Sequence, residues 1–128
     1  MKRAVLLFII FLFSCNMLWA VPKIPDSRDL KWESKWLNRL EHEDMQVRTQ
    51  AALKLANAGC TEIQDKLLDM AKNEEFYGAR IVAIVALTKI ADEHVADILK
   101  GHLLEEERQT VRTVLNGAIN LLERQKIS

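Results

Sequence analysis

The chain has 128 residues, a length that suits one folded domain, and 49% of them are hydrophobic. Its 18 Lys and Arg residues equal its 18 Asp and Glu residues, so it lacks the concentrated positive charge that binding to a phosphate backbone requires. With only four glycines and two prolines, the composition disfavours a sheet protein rich in turns and favours helices.

Residues 1–20 have the layout of a secretory signal peptide. Two basic residues come first, an unbroken apolar run follows over residues 4–13, and Ala20 supplies a small residue for the peptidase. Cleavage between Ala20 and Val21 would leave 16 basic and 18 acidic residues, a net charge of −2. We therefore predict an exported, periplasmic protein in which residues 21–26 form a linker before the folded domain.

A second interpretation of the N-terminus is a membrane-anchored lipoprotein. The stretch Leu12-Phe13-Ser14-Cys15 resembles a loose bacterial lipobox, in which Cys15 becomes the lipidated first residue. Phe13 departs from the small residue usual there, and residues 17–19 are apolar where most lipoproteins have a polar tether. Both interpretations leave Cys60 as the only thiol of the mature chain, and we expect it to be a small buried side chain rather than a reactive group.

From residue 27 onward the chain repeats itself. Arg48, Arg80 and Arg112 are spaced 32 residues apart, and apolar residues recur three, seven and ten positions after each arginine. These offsets lie on one face of a helix, so each copy is predicted to be an amphipathic helix in the same register. The residues seven positions on, which we expect to lie in the core, are Leu55, Leu87 and Ile119. Such a period is typical of stacked helix pairs that bury their apolar faces against one another.

The apolar stripes between these copies add a further helix to each one. The pattern predicts six helices, at about residues 27–40, 45–58, 62–72, 77–91, 93–103 and 107–124. They form three pairs, at about 27–58, 62–91 and 93–124, within a repeat domain that spans 27–128.

Local signals mark several helix ends in this scheme. Gly59 is predicted to end the second helix, and Thr61-Glu62-Ile63-Gln64 has the pattern of a capping box at the start of the third. Asp92 is placed to cap the fifth helix. Residues 81–87 are rich in β-branched side chains and resemble a buried strand, but the repeat register predicts an apolar helix in the middle of the stack.

The first copy resembles a HEAT repeat of the phycobilisome-lyase-like bacterial type through Asp44-x-x-Val47-Arg48-x-x-Ala51-Ala52-x-x-Leu55-x-x-x-Gly59. The second copy is similar around Arg80, and the third keeps Val111-Arg112 but has Arg108 where the family has Asp. The resemblance covers about residues 28–124. It implies an all-α fold, a short right-handed α-solenoid of three HEAT-like helical hairpins, and it says little about function because such repeats serve unrelated tasks.

The resemblance also assigns roles to repeated polar residues. It implies that Asp44, Arg48, Arg80 and Arg112 tie neighbouring repeats together, so the aligned arginines are structural rather than a catalytic set. His42-Glu43 is one pair of the kind that iron-dependent HEAT-repeat hydroxylases use as ligands, and those enzymes need several converging pairs. We therefore predict no catalytic, metal or cofactor site.

The three histidines, His42, His94 and His102, are expected in solvated turns and on surfaces. Acidic residues recur before the second helix of each pair and include Glu74, Glu75, Glu105 and Glu106. Carboxylates favour the positive end of a helix dipole, which is the simpler explanation. Stacking would alternatively align them into an acidic ridge that receives a basic segment of a partner.

Two further sets of residues are candidates for partner binding. Trp32 and Trp36 lie one turn apart on the first helix, where they either pack against the second helix or anchor a partner. Asn116 and Asn120 align with Ala52 and Ala56, which look buried in the first repeat. Because an amide at such a place must face water or find a hydrogen-bonding partner, we predict that this face of the last helix is open.

The function expected from these features is a non-catalytic scaffold or adaptor in the bacterial cell envelope. Its partner would be another protein, or a second copy that docks through the last helix. One alternative is a structural lipoprotein that works through its anchor at Cys15. The other is a subunit of a HEAT-type lyase or hydroxylase, which would require converging His, Cys or carboxylate groups in a pocket.

Overall fold

In a computed structural model, the structure describes residues 29–128, and these fold into six helices. The helices are α1 (Leu30–Leu40), α2 (Met45–Asn57), α3 (Gln64–Asn73), α4 (Tyr77–Ile90), α5 (Val95–Glu105) and α6 (Gln109–Ile127). A short 3₁₀ turn, Thr61–Ile63, precedes α3. The predictions for the signal peptide, for Cys15 and for the linker fall outside the described residues. None of the helices in the described range is long and apolar enough to span a membrane.

The all-α fold is confirmed, and each helix boundary lies within about three residues of its predicted place. The largest difference at a start is in α1, which begins at Leu30 rather than at residue 27. The Asp29 carboxylate accepts a hydrogen bond from the backbone N–H of Lys31 at 3.1 Å, so Asp29 is the N-cap. At the other end, α6 continues to Ile127, three residues further than predicted.

The helices pair and stack as a short α-solenoid. Each first helix packs on the second helix of its own pair, and α4 also packs against α2 on one side and α6 on the other. Such a position requires a helix that is apolar on nearly all sides. Ala83, Ile84, Ala86 and Leu87 are accordingly fully buried. The β-branched stretch around them is therefore a central helix and not a strand.

The repeat register predicted from the sequence places equivalent residues in one continuous core. Leu55 and Leu87 are fully buried, and Ile119 is nearly so. The hydrophobic core runs from Trp36 on α1 to Leu122 on α6 without interruption. Each repeat therefore completes its core only by contact with the next.

The turn after α2 forms as predicted, whereas the capping box does not. Gly59 has φ +75°, and the N–H groups of Gly59 and Cys60 donate to the carbonyls of Ala56 and Leu55, both at 3.0 Å. This is the Schellman arrangement, which favours glycine. No side chain caps the 3₁₀ turn at Thr61 or the start of α3, so the predicted capping box is wrong.

The physical reason is that Gln64 binds across to the next repeat instead. Its amide donates to the Asp92 carboxylate, and its carbonyl accepts from the Asp92 N–H, both at 3.0 Å. Asp92 also accepts from the His94 N–H at 2.9 Å, which orders the turn before α5. These hydrogen bonds, that from the Gln64 side chain first and that from the His94 backbone next, lower the pKa of Asp92.

We predict that Leu87→Ala destabilises the whole described domain by about 2–5 kcal/mol, because it leaves a cavity in the central helix. Urea unfolding followed by circular dichroism measures this change. Val85→Ala is the matched control, since Val85 lies two residues away on α4 and is 41% exposed. Equal stabilities for the Leu87 variant, the Val85 variant and the unchanged protein would show that the register is wrong.

Candidate functional site

Arg48, on the first turn of α2, joins two turns of the chain. Its Nη1 donates to the backbone carbonyls of His42 and Glu43 at 2.8 and 2.7 Å, within its own repeat. Its Nε and Nη2 donate to the two carboxylate oxygens of Glu74, in the next repeat, at 2.8 and 2.7 Å. The pair is bidentate and mostly buried, which makes it stronger than an exposed ion pair.

Arg80 makes the same connections one repeat later. Its Nη1 donates to the backbone carbonyls of Glu74 and Glu75 at 2.9 and 3.3 Å, and its Nη2 donates to Glu106 Oε1 at 3.3 Å. The same Glu106 oxygen accepts from the Arg108 N–H at 2.9 Å. Glu106 therefore accepts one hydrogen bond from Arg80, whereas Glu74 accepts two from Arg48. The Nε of Arg80 is buried without a partner in the described part of the chain.

Arg112 repeats only the first half of this pattern. Its Nη1 donates to the backbone carbonyls of Leu103 and Glu106 at 2.9 and 3.0 Å. Among residues 29–128, no carboxylate forms an ion pair with it. We call this alternating series, in which each carboxylate follows its arginine by 26 residues, the arginine–glutamate ladder: Arg48, Glu74, Arg80, Glu106 and Arg112.

Electrostatics favour the charged forms of Arg48 and Glu106. The hydrogen bond and the charge of Glu74 raise the pKa of Arg48 against the effect of desolvation. Burial alone would raise the pKa of Glu106, but the Arg108 N–H and the Arg80 guanidinium outweigh it and lower that pKa. The lowered pKa means that the contribution of Glu106 to stability is present above the usual carboxyl range and is lost as the pH falls through the folded-state pKa.

The ladder revises two sequence predictions. The resemblance implied that Asp44 ties neighbouring repeats, but Asp44 caps its own helix by accepting from the Gln46 N–H at 2.8 Å. The carboxylates that join repeats are those of Glu74 and Glu106, which were predicted as part of an acidic ridge for a partner. Both side chains are at least seven-eighths buried and already paired, so they are not available on the surface. Their 26-residue offset from Arg48 and Arg80 was the signal that sequence analysis missed.

Two other glutamates predicted for the ridge, Glu75 and Glu105, lie on the surface. Glu75 is exposed, and Glu105 is exposed and forms an ion pair with Lys72 at 3.1 Å. Glu75 and Glu105 are therefore accessible to a partner, whereas Glu74 and Glu106 are not. Whether these two bind a partner stays a prediction.

The two tryptophans of α1 belong to the packing between α1 and α2. Trp36 is 9% exposed, its ring lies 6.2 Å from that of Trp32, and the Arg39 guanidinium and Lys54 ammonium lie 5.0 and 5.9 Å from it. Lys54 comes from α2, so the second helix covers this ring. Trp36 is therefore a core residue and not the partner anchor of the alternative prediction. Trp32 is half-buried against the same core.

The last helix presents its amides to solvent. Asn116 and Asn120 are exposed, whereas the aligned Ala52 and Ala56 of α2 are buried. Leu121, beside Asn120 on the same helix, is 45% exposed. We call Asn116, Asn120 and Leu121 the end face of the stack. Docking on the end face stays a prediction.

Cys60 lies between two carboxylates in the turn after α2. It is buried, and its Sγ lies 3.1 Å from Glu62 Oε2 and 3.7 Å from Glu33 Oε1. Burial first, and then the hydrogen bond and charge of Glu62, raise the pKa of the thiol to about 12. In the described range this is the one group of three residues with converging metal-ligand atoms, which lie within 4.8 Å of one another. At neutral pH the thiol keeps its proton, so it donates a hydrogen bond and is a poor nucleophile.

The histidines occupy different turns and helices. His42 Nδ1 accepts a hydrogen bond from the Asp44 N–H at 3.0 Å, in the turn between α1 and α2. His102 was expected on the surface, but its side chain is only 9% exposed and lies 3.7 Å from Glu106. Burial lowers the pKa of His102, so it is neutral at physiological pH. It lines an open cleft of about 580 Å³ together with Lys72, whose charge also lowers this pKa.

Comparison with protein families matches residues 33–120 to HEAT repeats. No curated protein matches the chain, and no solved structure does. The match covers more than half of the sequence and all three arginines of the ladder. It is to HEAT repeats in general, so the resemblance to the phycobilisome-lyase-like type stays a prediction.

We predict that Glu74→Gln destabilises the domain by about 1–3 kcal/mol, because the amide cannot replace both charged hydrogen bonds to Arg48. Glu75→Gln is the matched control, since the neighbouring Glu75 side chain is exposed. That variant should change the free energy of unfolding by less than about 0.5 kcal/mol. If chemical denaturation gives the two variants the same stability, the ladder does not hold the repeats together.

Proposed function

The chain belongs to the HEAT-repeat family, and we propose that it is a non-catalytic scaffold or adaptor that binds another protein. HEAT repeats are generally protein-interaction modules, which build binding surfaces from stacked helix pairs. The strongest support for this role is the set of hydrogen bonds that the charged residues of the ladder make. They bind backbone carbonyls and one another between repeats. Arg80 and Glu106 also border the open cleft beside His102, but there they are paired with each other, whereas a catalytic acid, base or nucleophile must be free to reach a substrate.

The surface that best suits a partner is the end face of the stack. It combines two exposed amides with an exposed leucine on a rigid helix, and the mixture of polar and apolar groups is ordinary for a protein interface. Gly117, between the amides, leaves open space around its Cα, so another backbone has room to approach there.

We propose in addition that residues 1–20 direct export and that the domain works in the bacterial cell envelope. The basic start, the apolar run and Ala20 support this compartment. A lipid anchor at Cys15 is the alternative on the same segment, and it leaves the proposed scaffold role unchanged.

The test of the scaffold role is site-specific photo-crosslinking in cells that produce the protein. A photoreactive residue at position 120, on the end face, is expected to give a discrete adduct whose second component is another protein. The matched control places the same residue at position 65 on α3, which is exposed and lies on a first helix. Equal, diffuse labelling from both positions, or no adduct from either, would argue against a scaffold that works through this face.

The test of the compartment is the mass of the mature protein. We expect a chain that begins at Val21, and we expect Cys15→Ser to leave both the mass of the mature chain and its fractionation unchanged. A mature chain that begins at Cys15 with an attached lipid would establish the anchor instead. In that case Cys15→Ser would release the protein from the membrane fraction.

A further inference from the structure

We propose that Arg112, the last rung of the arginine–glutamate ladder, binds a carboxylate supplied by a partner protein. The partner group is a Glu or Asp in a turn beside a helix, held as Arg48 holds Glu74. This inference deepens the proposed scaffold role and rests on it, because it names the chemistry that the partner must bring to the end face.

The pattern of the ladder indicates a carboxylate as the missing partner of Arg112. Arg48 and Arg80 each use one edge of the guanidinium for carbonyls of their own turn and another for a carboxylate of the following repeat. Arg112 makes the carbonyl contacts but pairs with no carboxylate among residues 29–128. Arg112 therefore lacks the carboxylate contact that Arg48 and Arg80 each make. Glu74 and Glu106 show which chemical group would make it.

The guanidinium of Arg112 is already positioned for such a partner. Two hydrogen bonds from Nη1, to Leu103 and Glu106, hold it against the turn between α5 and α6. A partner carboxylate therefore meets an ordered fork rather than a flexible side chain, and less conformational entropy is lost on binding. Asn116 lies one helical turn further along α6 and is exposed, so its amide is accessible for hydrogen bonding to the same partner.

The repeat spacing distinguishes another protein from a second copy of this chain as the partner. In a copy stacked head to tail, the residue aligned with Glu74 and Glu106 at the same 32-residue spacing is His42. An imidazole cannot accept two hydrogen bonds from an arginine, and His42 Nδ1 already accepts from the Asp44 N–H. In such a stack the position that faces Arg112 therefore offers no bidentate acceptor, although Glu41 and Glu43 flank it, and the occupant we propose is a carboxylate of a different protein.

The most direct test supplies the missing carboxylate in the same chain. Residues 123–128 are replaced by a copy of residues 91–128, which places a copy of Glu106 26 residues after Arg112. We expect this fusion to melt about 2–6 °C higher than the same fusion with Gln at the copied Glu106. Gln at the copied Glu107 is the control and should leave the melting temperature within about 1 °C. The difference between Glu and Gln should vanish when Arg112→Gln is added.

Fusions with Glu and Gln that melt together would overturn the inference, because Arg112 would then show no preference for a carboxylate. This result is independent of the crosslinking at position 120, so the scaffold role and the carboxylate inference can fail separately. The fusions with Glu and Gln both contain Arg112. Their comparison therefore decides the inference even if the Arg112→Gln fusions fail to fold.

The test in cells repeats the crosslinking at position 120 with Arg112→Glu. We expect a loss of adduct of about tenfold or more, recovered when a Glu or Asp of the crosslinked partner is changed to Arg. Arg124→Glu, at an exposed position of the same helix, is the control and should keep the adduct. An adduct unaffected by Arg112→Glu, or one formed only with a second copy of the chain, would overturn the inference.

Discussion

Each tight turn between paired helices leaves backbone carbonyls that need donors, and one arginine per repeat supplies them. The guanidinium groups of Arg48 and Arg80 also bind a carboxylate of the next repeat. Apolar stripes alone would let neighbouring helices slide by a turn, whereas a bidentate pair such as that of Arg48 and Glu74 fits in one register. The stacking of the repeats thus depends on a polar contact made at the edge of an apolar core.

Because the ladder pairs these charged side chains within the stack, few of them are available for binding or catalysis. Glu74 and Glu106 are buried between repeats and paired with arginines, and the Cys60 thiol stays protonated between two carboxylates. These groups therefore stabilise the fold. Helix α6 is different, because Asn116 and Asn120 are exposed and Arg112 pairs with no carboxylate among residues 29–128. The scaffold role proposed for the chain rests on this contrast between charged groups paired inside the stack and exposed groups on α6.

Much of the fold could be predicted from the sequence, because the 32-residue period and the helical offsets of Leu55, Leu87 and Ile119 repeat along one chain. The partners of the arginines could not, since each pair spans two repeats and an acidic residue before a helix is equally explained by the helix dipole. The Gln64–Asp92 contact was missed for the same reason, as a local capping pattern competed with a contact 28 residues away. The helices could be predicted from local sequence patterns, whereas the contacts between repeats became apparent only in the structure.

The central claim is that the arginine–glutamate ladder couples neighbouring repeats. A double-mutant cycle on Arg48→Ala and Glu74→Ala, measured by urea unfolding, tests it because the cycle isolates the pair from the other contacts of Arg48. We expect a coupling free energy of about 1–3 kcal/mol, against less than about 0.5 kcal/mol for the exposed pair of Lys66 and Glu41. A coupling for Arg48 and Glu74 no larger than that of the exposed pair would contradict the account.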